Sequence, residues 1–364
     1  MKRLPLLNIR KWYSNPDAFA EELRQACHQV GFFTLQHDLP SGLPERMLRE
    51  ANRFFALPRK TKLSMSYENS PAFRGYMALG KENTSGKIDF REQLELASET
   101  TLEDKVDHQA WPQYYERLRG PNPWPDLDLK QCVDEYVYHL NRISASLTDA
   151  LSAALQLERN AFGSLFTDPF WQLKLASVSL PSISCKNIDG EEEIDHEFFG
   201  VGAHTDTGFL TLLLQDDIGG LQVYTGGEWV HVPPAGPNVF VCNIGEVAEI
   251  ASDGYLLATP HRVLLPDAVV ERKKSKRLSV PFFYNPTLSA KVETLDISDR
   301  LCWDRDNQRQ HWRRKDNSML NVYGANAFKS LARSHPSVVS RHHGDLELLD
   351  DGRIELKDDS RITG

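Results

Sequence analysis

The segment Gly202-Ala-His204-Thr-Asp206-Thr-Gly208 places an imidazole and a carboxylate two residues apart, directly before an apolar run. Residues i and i+2 point to the same face of an extended segment, so both side chains can reach one metal ion. A second histidine, His261, lies 55 residues after Asp206 and begins another apolar run. Two imidazoles and one carboxylate leave coordination positions open, which is the ligand set of Fe(II) oxygenases. These three residues therefore predict a catalytic Fe(II) site that activates O2.

The His-x-Asp pattern is a weak signal when taken alone. The chain has 12 histidines, and the pattern occurs again at His343-Gly-Asp345. No histidine follows this second copy, so we predict that it is not a metal site. Two alternatives remain for the first copy. It could be a buried hydrogen-bonded His–Asp pair, or a zinc site with the same ligands; the chain has no His-Glu-x-x-His segment that would favour zinc.

Arg277 and Ser279 form a second pair of residues at i and i+2, at the start of the apolar run Arg277-Leu-Ser-Val-Pro-Phe-Phe. A guanidinium group matches the planar geometry of a carboxylate, and a serine adds a hydroxyl donor. A keto dicarboxylic acid could bind a metal at one end and this pair at the other. The alternative is a surface arginine at the end of the basic run 272–277.

Composition limits the classes of protein to consider. The chain has 364 residues, of which 40% are hydrophobic and 26% charged, as in a globular protein. Its net charge of −9 argues against a nucleic-acid-binding protein. The odd number of widely spaced cysteines predicts reduced thiols and a cytoplasmic location. No run approaches the roughly 20 apolar residues of a membrane span, and the N-terminal apolar stretch is too short for a signal sequence.

Apolar spacing predicts a helix-rich N-terminal part over residues 1–160. Asn15-Pro16 suits the start of a helix, Phe32 to Leu35 suits a strand, and a long helix is expected over 127–157. Residues 65–92 lack a clear period, so we expect them to form an ordered loop region.

The pattern changes after Trp171. Short apolar runs separated by turn residues are typical of an antiparallel barrel or a double-sheet jelly roll, which we place at 171–290. The runs cover 173–180, 209–214, 221–224, 229–232, 238–243, 261–265 and 277–284.

A C-terminal helical segment is expected over 310–345, with its clearest pattern at 318–331. The polar tail 346–364 contains two short apolar runs around Asp350-Asp-Gly352, which predict a hairpin. No linker divides the chain. We therefore expect a single α+β domain over 1–364.

The order of these motifs resembles the isopenicillin N synthase-like family of 2-oxoglutarate- and Fe(II)-dependent dioxygenases. The segments that carry this resemblance are Gly31-Phe-Phe, Phe54-Phe-Ala-Leu-Pro58, Arg74-Gly-Tyr76, the acidic stretch through Asp89 and Glu92, His204-Thr-Asp206, Gln215-Asp-Asp-Ile-Gly-Gly-Leu-Gln222, Trp229, Val232-Pro-Pro234, Asn243-Ile-Gly-Glu246, His261-Arg-Val263 and Arg277-Leu-Ser279. They extend over most of the chain.

The resemblance implies a distorted double-stranded β-helix (jelly roll) core with a helical N-terminal region and a C-terminal helix. It implies that His204, Asp206 and His261 bind Fe(II), and that Arg277 and Ser279 bind the C5 carboxylate of 2-oxoglutarate. O2 is then the third reactant. A small-molecule substrate, with an organic acid as one candidate, would be hydroxylated, desaturated or cyclised while succinate and CO2 are released. We expect no nucleic-acid or membrane partner, and a monomer.

Departures from the family pattern are few. Many members have Asn-x-Tyr-Pro before the metal-binding strand, with a tyrosine that contacts the co-substrate. The matching stretch here is Val178-Ser-Leu180-Pro181, so a leucine takes the place of that tyrosine. Glu246 replaces the usual aspartate of Asn-Ile-Gly-Asp. The carboxylate of Asp206 occupies the position that halogenating relatives leave for a halide, which argues against halogenation.

Five residues are candidates for contact with the substrate by family position or strand parity. They are Arg74, Tyr76, Lys174, Phe283 and Arg333. A structural salt bridge is the alternative for Arg74, and a structural helix end for Arg333. Three other functions remain open. They are an Fe(II) oxidase of the same fold that does not use 2-oxoglutarate, a non-enzymatic binding module, and a zinc hydrolase.

Overall fold

A computed structural model describes nine parts of the chain. They are residues 3–81, 83–84, 87–99, 113–179, 199–265, 276–297, 301, 319–349 and 353–357. Leu180, Cys185, Cys302 and the basic run 272–275 lie outside the described residues. Cys27, Cys132 and Cys242 are buried free thiols.

Most helices lie in the N-terminal part and at the C-terminal end of the described chain, and one short helix lies between strands of the core. They are α1 (Ile9–Ser14), α2 (Pro16–Gln29), α3 (Leu43–Ala56), α4 (Arg59–Ser64), α5 (Leu127–Ala154), α6 (Glu246–Ala251), α7 (Tyr323–Ser334) and α8 (Pro336–His342). The Asn15 side chain caps α2 and Pro16 is its first residue, as the sequence predicts. Asp126 caps α5 by accepting from the Leu129 amide. No helix in these parts of the chain is long and apolar enough to cross a membrane.

Strands carry most of the remaining structure. They are β1 (Leu6–Asn8), β2 (Phe32–Gln36), β3 (Gly75–Met77), β4 (Asn83–Thr84), β5 (Lys87–Ile88), β6 (Arg91–Ala97), β7 (Phe170–Val178), β8 (Phe199–His204), β9 (Leu210–Gln215), β10 (Leu221–Thr225), β11 (Glu228–His231), β12 (Val239–Ile244), β13 (His261–Leu264), β14 (Arg277–Asn285), β15 (Leu346–Leu348) and β16 (Ile354–Leu356).

Two sheets form the core. The larger has the order β1-β2-β12-β9-β14-β7-β6-β3, and the smaller has the order β11-β10-β13-β8. All neighbours are antiparallel except β1 and β2. Two packed antiparallel sheets with many crossovers correspond to the predicted jelly roll, and the surrounding helices give the predicted α+β class.

The two faces of the larger sheet have different partners. On its outer face, side chains such as Leu212, Leu214 and Phe282 join the large core beneath the helices. On its inner face, Phe32 and Val241 pack with residues of the smaller sheet, namely Leu221, Val223 and Val263. Because strand side chains alternate between faces, parity decides which residues reach the space between the sheets.

Some local structure differs from the prediction. Residues 65–92 contain the short strands β3, β4 and β5 in place of the expected loop region. These strands are two or three residues long, which is too short to show an alternating pattern. The helical segment predicted over 310–345 contains two helices, α7 and α8. The second begins at Pro336, because proline suits the first turn of a new helix. The predicted C-terminal hairpin is present as β15 paired with β16.

Candidate functional site

His204, Asp206 and His261 come together at the edge of the smaller sheet. His204 ends β8, His261 begins β13, and the two histidines are directly opposite in the antiparallel register. One ligand atom from each of the three residues lies within 4.8 Å of the others. Asp206 Oδ1 is 3.7 Å from His204 Nε2 and 3.8 Å from His261 Nε2. Three potential ligand atoms therefore surround one point.

Backbone carbonyls orient both imidazoles. His204 Nδ1 donates to the Gly202 carbonyl at 2.8 Å, and His261 Nδ1 donates to the Thr259 carbonyl at 3.2 Å. A carbonyl only accepts hydrogen bonds, so in each neutral ring the proton is on Nδ1 and the lone pair is on Nε2. Histidines that bind metals are commonly held by such a second hydrogen bond. The Phe32 and His261 rings pack in an edge-to-face arrangement, with 5.2 Å between their centres.

Asp206 is oriented from the inner face of the larger sheet. Its Oδ2 accepts from Thr211 Oγ1 at 2.6 Å and from Asn243 Nδ2 at 2.7 Å. Burial acts to raise the pKa of Asp206, but the two imidazoles and these two donors outweigh it and lower that pKa. Thr211 and Asn243 thus hold one oxygen of an ionised carboxylate and leave Oδ1 towards the histidines. The sequence did not predict that Thr211 and Asn243 orient the Asp206 carboxylate.

The lowered pKa of His204 also suits metal binding. Burial and the neighbouring His261 lower the pKa of His204 to about 4, so its imidazole is neutral at neutral pH. A neutral ring is the form that binds a metal. The distances of 3.7 and 3.8 Å between Asp206 Oδ1 and the imidazoles are too long for hydrogen bonds. The alternative of a hydrogen-bonded His–Asp pair therefore does not describe this arrangement.

The second His-x-Asp copy has structural contacts. His343 Nε2 lies 2.8 Å from the Pro71 carbonyl, and the ring stacks on Phe73. Asp345 forms a salt bridge with Arg117 at 2.6 Å. Among the described residues, the cluster at His204 is the one group of three metal-ligating side chains that converge.

Arg277 and Ser279 lie at the start of β14 on the inner face of the larger sheet. Arg277 is 1% exposed, so the surface alternative for this arginine is wrong. Its guanidinium donates to Ser279 Oγ at 3.1 Å and to Gln215 Oε1 at 3.0 Å. Burial lowers the pKa of Arg277 to about 10, which still leaves it charged at neutral pH.

Two donors in this group have no hydrogen-bond partner in the described structure. They are Arg277 Nε and Gln215 Nε2, both fully buried. The contacts of the Arg277 guanidinium within the described residues are with neutral oxygens and not with a carboxylate. A buried cation and buried donors without acceptors are costly, and a carboxylate ligand would satisfy them. Gln215 was missed as a site residue, because only the register of Gln215 opposite Ser279 shows its place.

Lys174 and Phe283 share the inner face with Arg277 and Ser279, as strand parity predicts. The Lys174 ammonium lies 5.9 Å from the centre of the Phe283 ring. Phe283 is directly opposite Thr211, which is hydrogen-bonded to Asp206. Both candidates therefore lie on the metal-facing side of the sheet.

Tyr76 is in the wrong place for the predicted substrate contact. It pairs with Leu94, and both side chains belong to the core on the outer face. The Tyr76 hydroxyl donates to Glu92 at 2.6 Å, and its ring packs near Phe54 of α3. The prediction failed because a strand of three residues does not show from sequence which side faces inwards.

Arg74 has a structural environment. It is 2% exposed, and its guanidinium donates to the backbone carbonyls of Leu118 at 2.8 Å and Ser98 at 2.7 Å, and to that of Gly120. Burial lowers the pKa of Arg74 to about 9. These contacts hold the two terminal nitrogens of the guanidinium and leave Nε without a hydrogen-bond partner in the described structure. They favour the structural alternative, and a substrate contact by Arg74 stays a prediction.

Arg333 is in the last turn of α7, on the same helix as the buried Lys329. Burial and Arg333 lower the pKa of Lys329, and the nearby Glu246 opposes this change. The Glu246 amide donates to the Asp206 carbonyl at 2.8 Å. Lys329 of the C-terminal helix α7 therefore interacts electrostatically with Glu246, whose backbone is hydrogen-bonded to that of Asp206. A substrate contact by Arg333 stays a prediction.

Two family models match the chain. They are the non-haem dioxygenase N-terminal region, described for morphine synthesis, over residues 4–127, and the 2OG-Fe(II) oxygenase superfamily over residues 185–286. A 2-oxoglutarate-dependent dioxygenase, frbJ, from Dothideomycetidae sp. (strain 11243) is 32% identical over 310 residues, or 83% of this chain and 79% of the relative. A homoarginine-6-hydroxylase from Glycine max is 34% identical over 285 residues, or 76% and 80%.

A solved structure has the same fold. The crystal structure of a 2OG-Fe(II) oxygenase family protein from Caulobacter crescentus aligns with a TM-score of 0.70 at 24% identity, covering 92% of this chain and 99% of that one. The chain belongs to the isopenicillin N synthase-like family of 2-oxoglutarate- and Fe(II)-dependent dioxygenases. It is an oxidoreductase that uses Fe(II), 2-oxoglutarate and O2.

Proposed function

We propose that His204, Asp206 and His261 bind the Fe(II), and that Arg277, Ser279 and Gln215 bind the C5 carboxylate of 2-oxoglutarate. The observation that carries the proposal is the pair of buried donors without acceptors, Arg277 Nε and Gln215 Nε2, on the sheet face that also holds Asp206 in place. A dicarboxylate bound at one end by the metal would supply the missing acceptor at its other end. The substrate is a small molecule.

The donor set suits Fe(II). Two imidazole nitrogens and one carboxylate oxygen bind on one side of the ion and leave the other side for co-substrate and O2. Zinc binds the same types of ligand, but a zinc hydrolase would have no need of a buried cation arranged for a second carboxylate. A binding module without catalysis would not need the two oriented imidazoles.

The residues of the chain contribute placement and exclusion of water. Bound iron and 2-oxoglutarate supply the oxidising chemistry, in which O2 is reduced and succinate and CO2 are released. Gly202 and Thr259 fix the imidazoles through their carbonyls, and Thr211 and Asn243 fix the carboxylate. Preorganised ligands of this kind cost little rearrangement when the reactants bind. The buried guanidinium of Arg277 fixes the far end of the co-substrate.

Succinate formation tests the proposed function against the oxidase alternative. We expect the purified protein with Fe(II) to convert 2-oxoglutarate to succinate slowly without substrate and faster with one, and to stop when either iron or O2 is withheld. The measurement is succinate by mass spectrometry, with O2 uptake recorded in parallel. O2 uptake without succinate would support the oxidase, and hydrolytic activity without O2 would support the zinc enzyme.

A further inference from the structure

Two lysine–glutamate ion pairs lie on opposite faces of the larger sheet, and both involve strand β6. Lys62 and Glu92 are 2.7 Å apart on the outer face, where α3 and α4 cover them. Lys174 and Glu95 are 2.6 Å apart on the inner face, across neighbouring strands β7 and β6. The second pair is not explained by the metal ligands or by the carboxylate site at Arg277.

The inner pair is connected to the metal-binding residues through Phe283 and Thr211. Lys174 is placed over the Phe283 ring, at 5.9 Å from its centre. Phe283 in turn is paired with Thr211, the residue that donates to the metal-facing carboxylate of Asp206. A substrate that packs against Phe283 would therefore be within reach of both the iron site and the ammonium of Lys174.

The side chains of Lys174 and Glu95 differ in how much of their surface is exposed. The side chain of Lys174 is 23% exposed, whereas that of Glu95 is 6% exposed. Gln93, which is fully buried, donates through Nε2 to Glu95 Oε1 at 2.9 Å. Glu95 is thus oriented by its hydrogen bond with the buried Gln93. Lys174 is the more exposed of the two charged side chains, so it is the one that a ligand would contact.

Stability is a weak explanation for such a pair. A partly exposed ion pair contributes little to stability, and the cost of desolvating its buried glutamate offsets much of the attraction. An ammonium group carries three donor hydrogens, so it can contact Glu95 and a ligand at the same time. The pair on this face is better explained by recognition of a ligand.

We propose that Lys174 binds a carboxylate of the substrate, that the Phe283 ring packs against the apolar part of that molecule, and that Glu95 with Gln93 positions Lys174. The substrate class is a small organic acid. This inference rests on the proposed function, since it places the acid beside the Fe(II) and 2-oxoglutarate site. A cationic substrate would have to displace Lys174 to reach the less exposed Glu95.

The test uses binding of matched acids and amides to the complete enzyme. Without O2, the complex with Fe(II) and 2-oxoglutarate is titrated with phenylacetate, 3-phenylpropionate and hexanoate, with the three corresponding primary amides, and with phenethylamine. The readout is the change in the visible absorption of the iron complex. We expect at least one acid to bind with a dissociation constant about tenfold or more below that of its amide, because the amide cannot form the charged contact.

Variants assign this preference to the inner pair. Lys174→Met should remove the preference for the acid over its amide, and Lys174→Arg should retain most of it. Glu95→Gln should change the ratio of acid to amide affinity, because it removes both the ion-pair partner and the negative charge beside Lys174, whereas a purely structural role would change both affinities equally. Lys62→Met and Glu92→Gln make the same changes in the outer pair, and they should leave the ratio as in the wild type.

Each remaining result contradicts the inference. It is overturned if an amide or phenethylamine binds as tightly as the acids, if no acid changes the absorption, or if Lys174→Met keeps the preference. Formation of the iron complex is observed separately. If that complex does not form in the wild type, the proposed function fails and this inference fails with it; if it forms and shows no preference for acids, this inference alone is wrong.

Discussion

Replacing Asp206 with alanine should abolish iron binding and turnover. The change removes one of three ligands and its negative charge, and it leaves the donors of Thr211 and Asn243 without their acceptor. Loss of a partner outside the ligand set already costs about 10–100-fold in metal affinity, so loss of a ligand should exceed about 100-fold. The measurement is iron per chain after anaerobic reconstitution and desalting, which should fall from about one to near zero.

The other His-x-Asp motif supplies the matched control. Asp345→Ala removes a carboxylate from the same sequence pattern, but in the structure it breaks only a salt bridge with Arg117. Iron content in this variant should equal that of the wild type. A full complement of iron in Asp206→Ala, or its loss in Asp345→Ala, would contradict the assignment of the metal ligands.

Arg277→Met should weaken 2-oxoglutarate binding about 100-fold and leave iron binding within about twofold of the wild type. A charged, two-point contact with a carboxylate contributes about 3 kcal/mol, which corresponds to roughly two orders of magnitude in affinity. Methionine fills much of the buried volume. Among the described residues the guanidinium binds only Ser279 and Gln215, so little of the fold depends on it. Anaerobic calorimetry measures both affinities, first by titrating the apo-protein with Fe(II) and then by titrating the iron-loaded protein with 2-oxoglutarate.

Lys276→Met is the control for this change, because it removes a cation from the adjacent residue on the other face. The Lys276 ammonium lies over the Phe55 ring at 5.9 Å, beneath the helices. Its loss should not change 2-oxoglutarate affinity. An unchanged affinity in Arg277→Met would contradict the proposal that this arginine binds the C5 carboxylate of 2-oxoglutarate.

The metal ligands and the Arg277–Ser279 pair were accessible from sequence because each depends on local geometry. Residues at i and i+2 of a strand share a face wherever that strand lies. His261 was found because it begins a strand of its own. By contrast, Gln215, Thr211 and Asn243 support the site through pairing between distant strands. No local pattern specifies which residue is opposite Ser279 or which side chains meet Asp206.

The substrate candidates show the same division. Lys174 and Phe283 are on long strands whose alternation identifies a face, and the structure places both on the inner side. Tyr76 is on a strand of three residues, and Arg74 precedes it in an irregular segment. A buried arginine that binds backbone carbonyls and an arginine in a pocket look alike in sequence. Only the tertiary structure distinguishes them.

Anaerobic titration of the apo-protein with Fe(II) and then 2-oxoglutarate tests the central claim most directly. We expect a visible metal-to-ligand charge-transfer band that saturates at about one equivalent of each, as it should if 2-oxoglutarate chelates an Fe(II) ion held by His204, Asp206 and His261. The band should be absent from His204→Ala at any concentration of iron used. A wild-type protein without the band, or a His204→Ala variant that retains it, would contradict an Fe(II) and 2-oxoglutarate site at these residues.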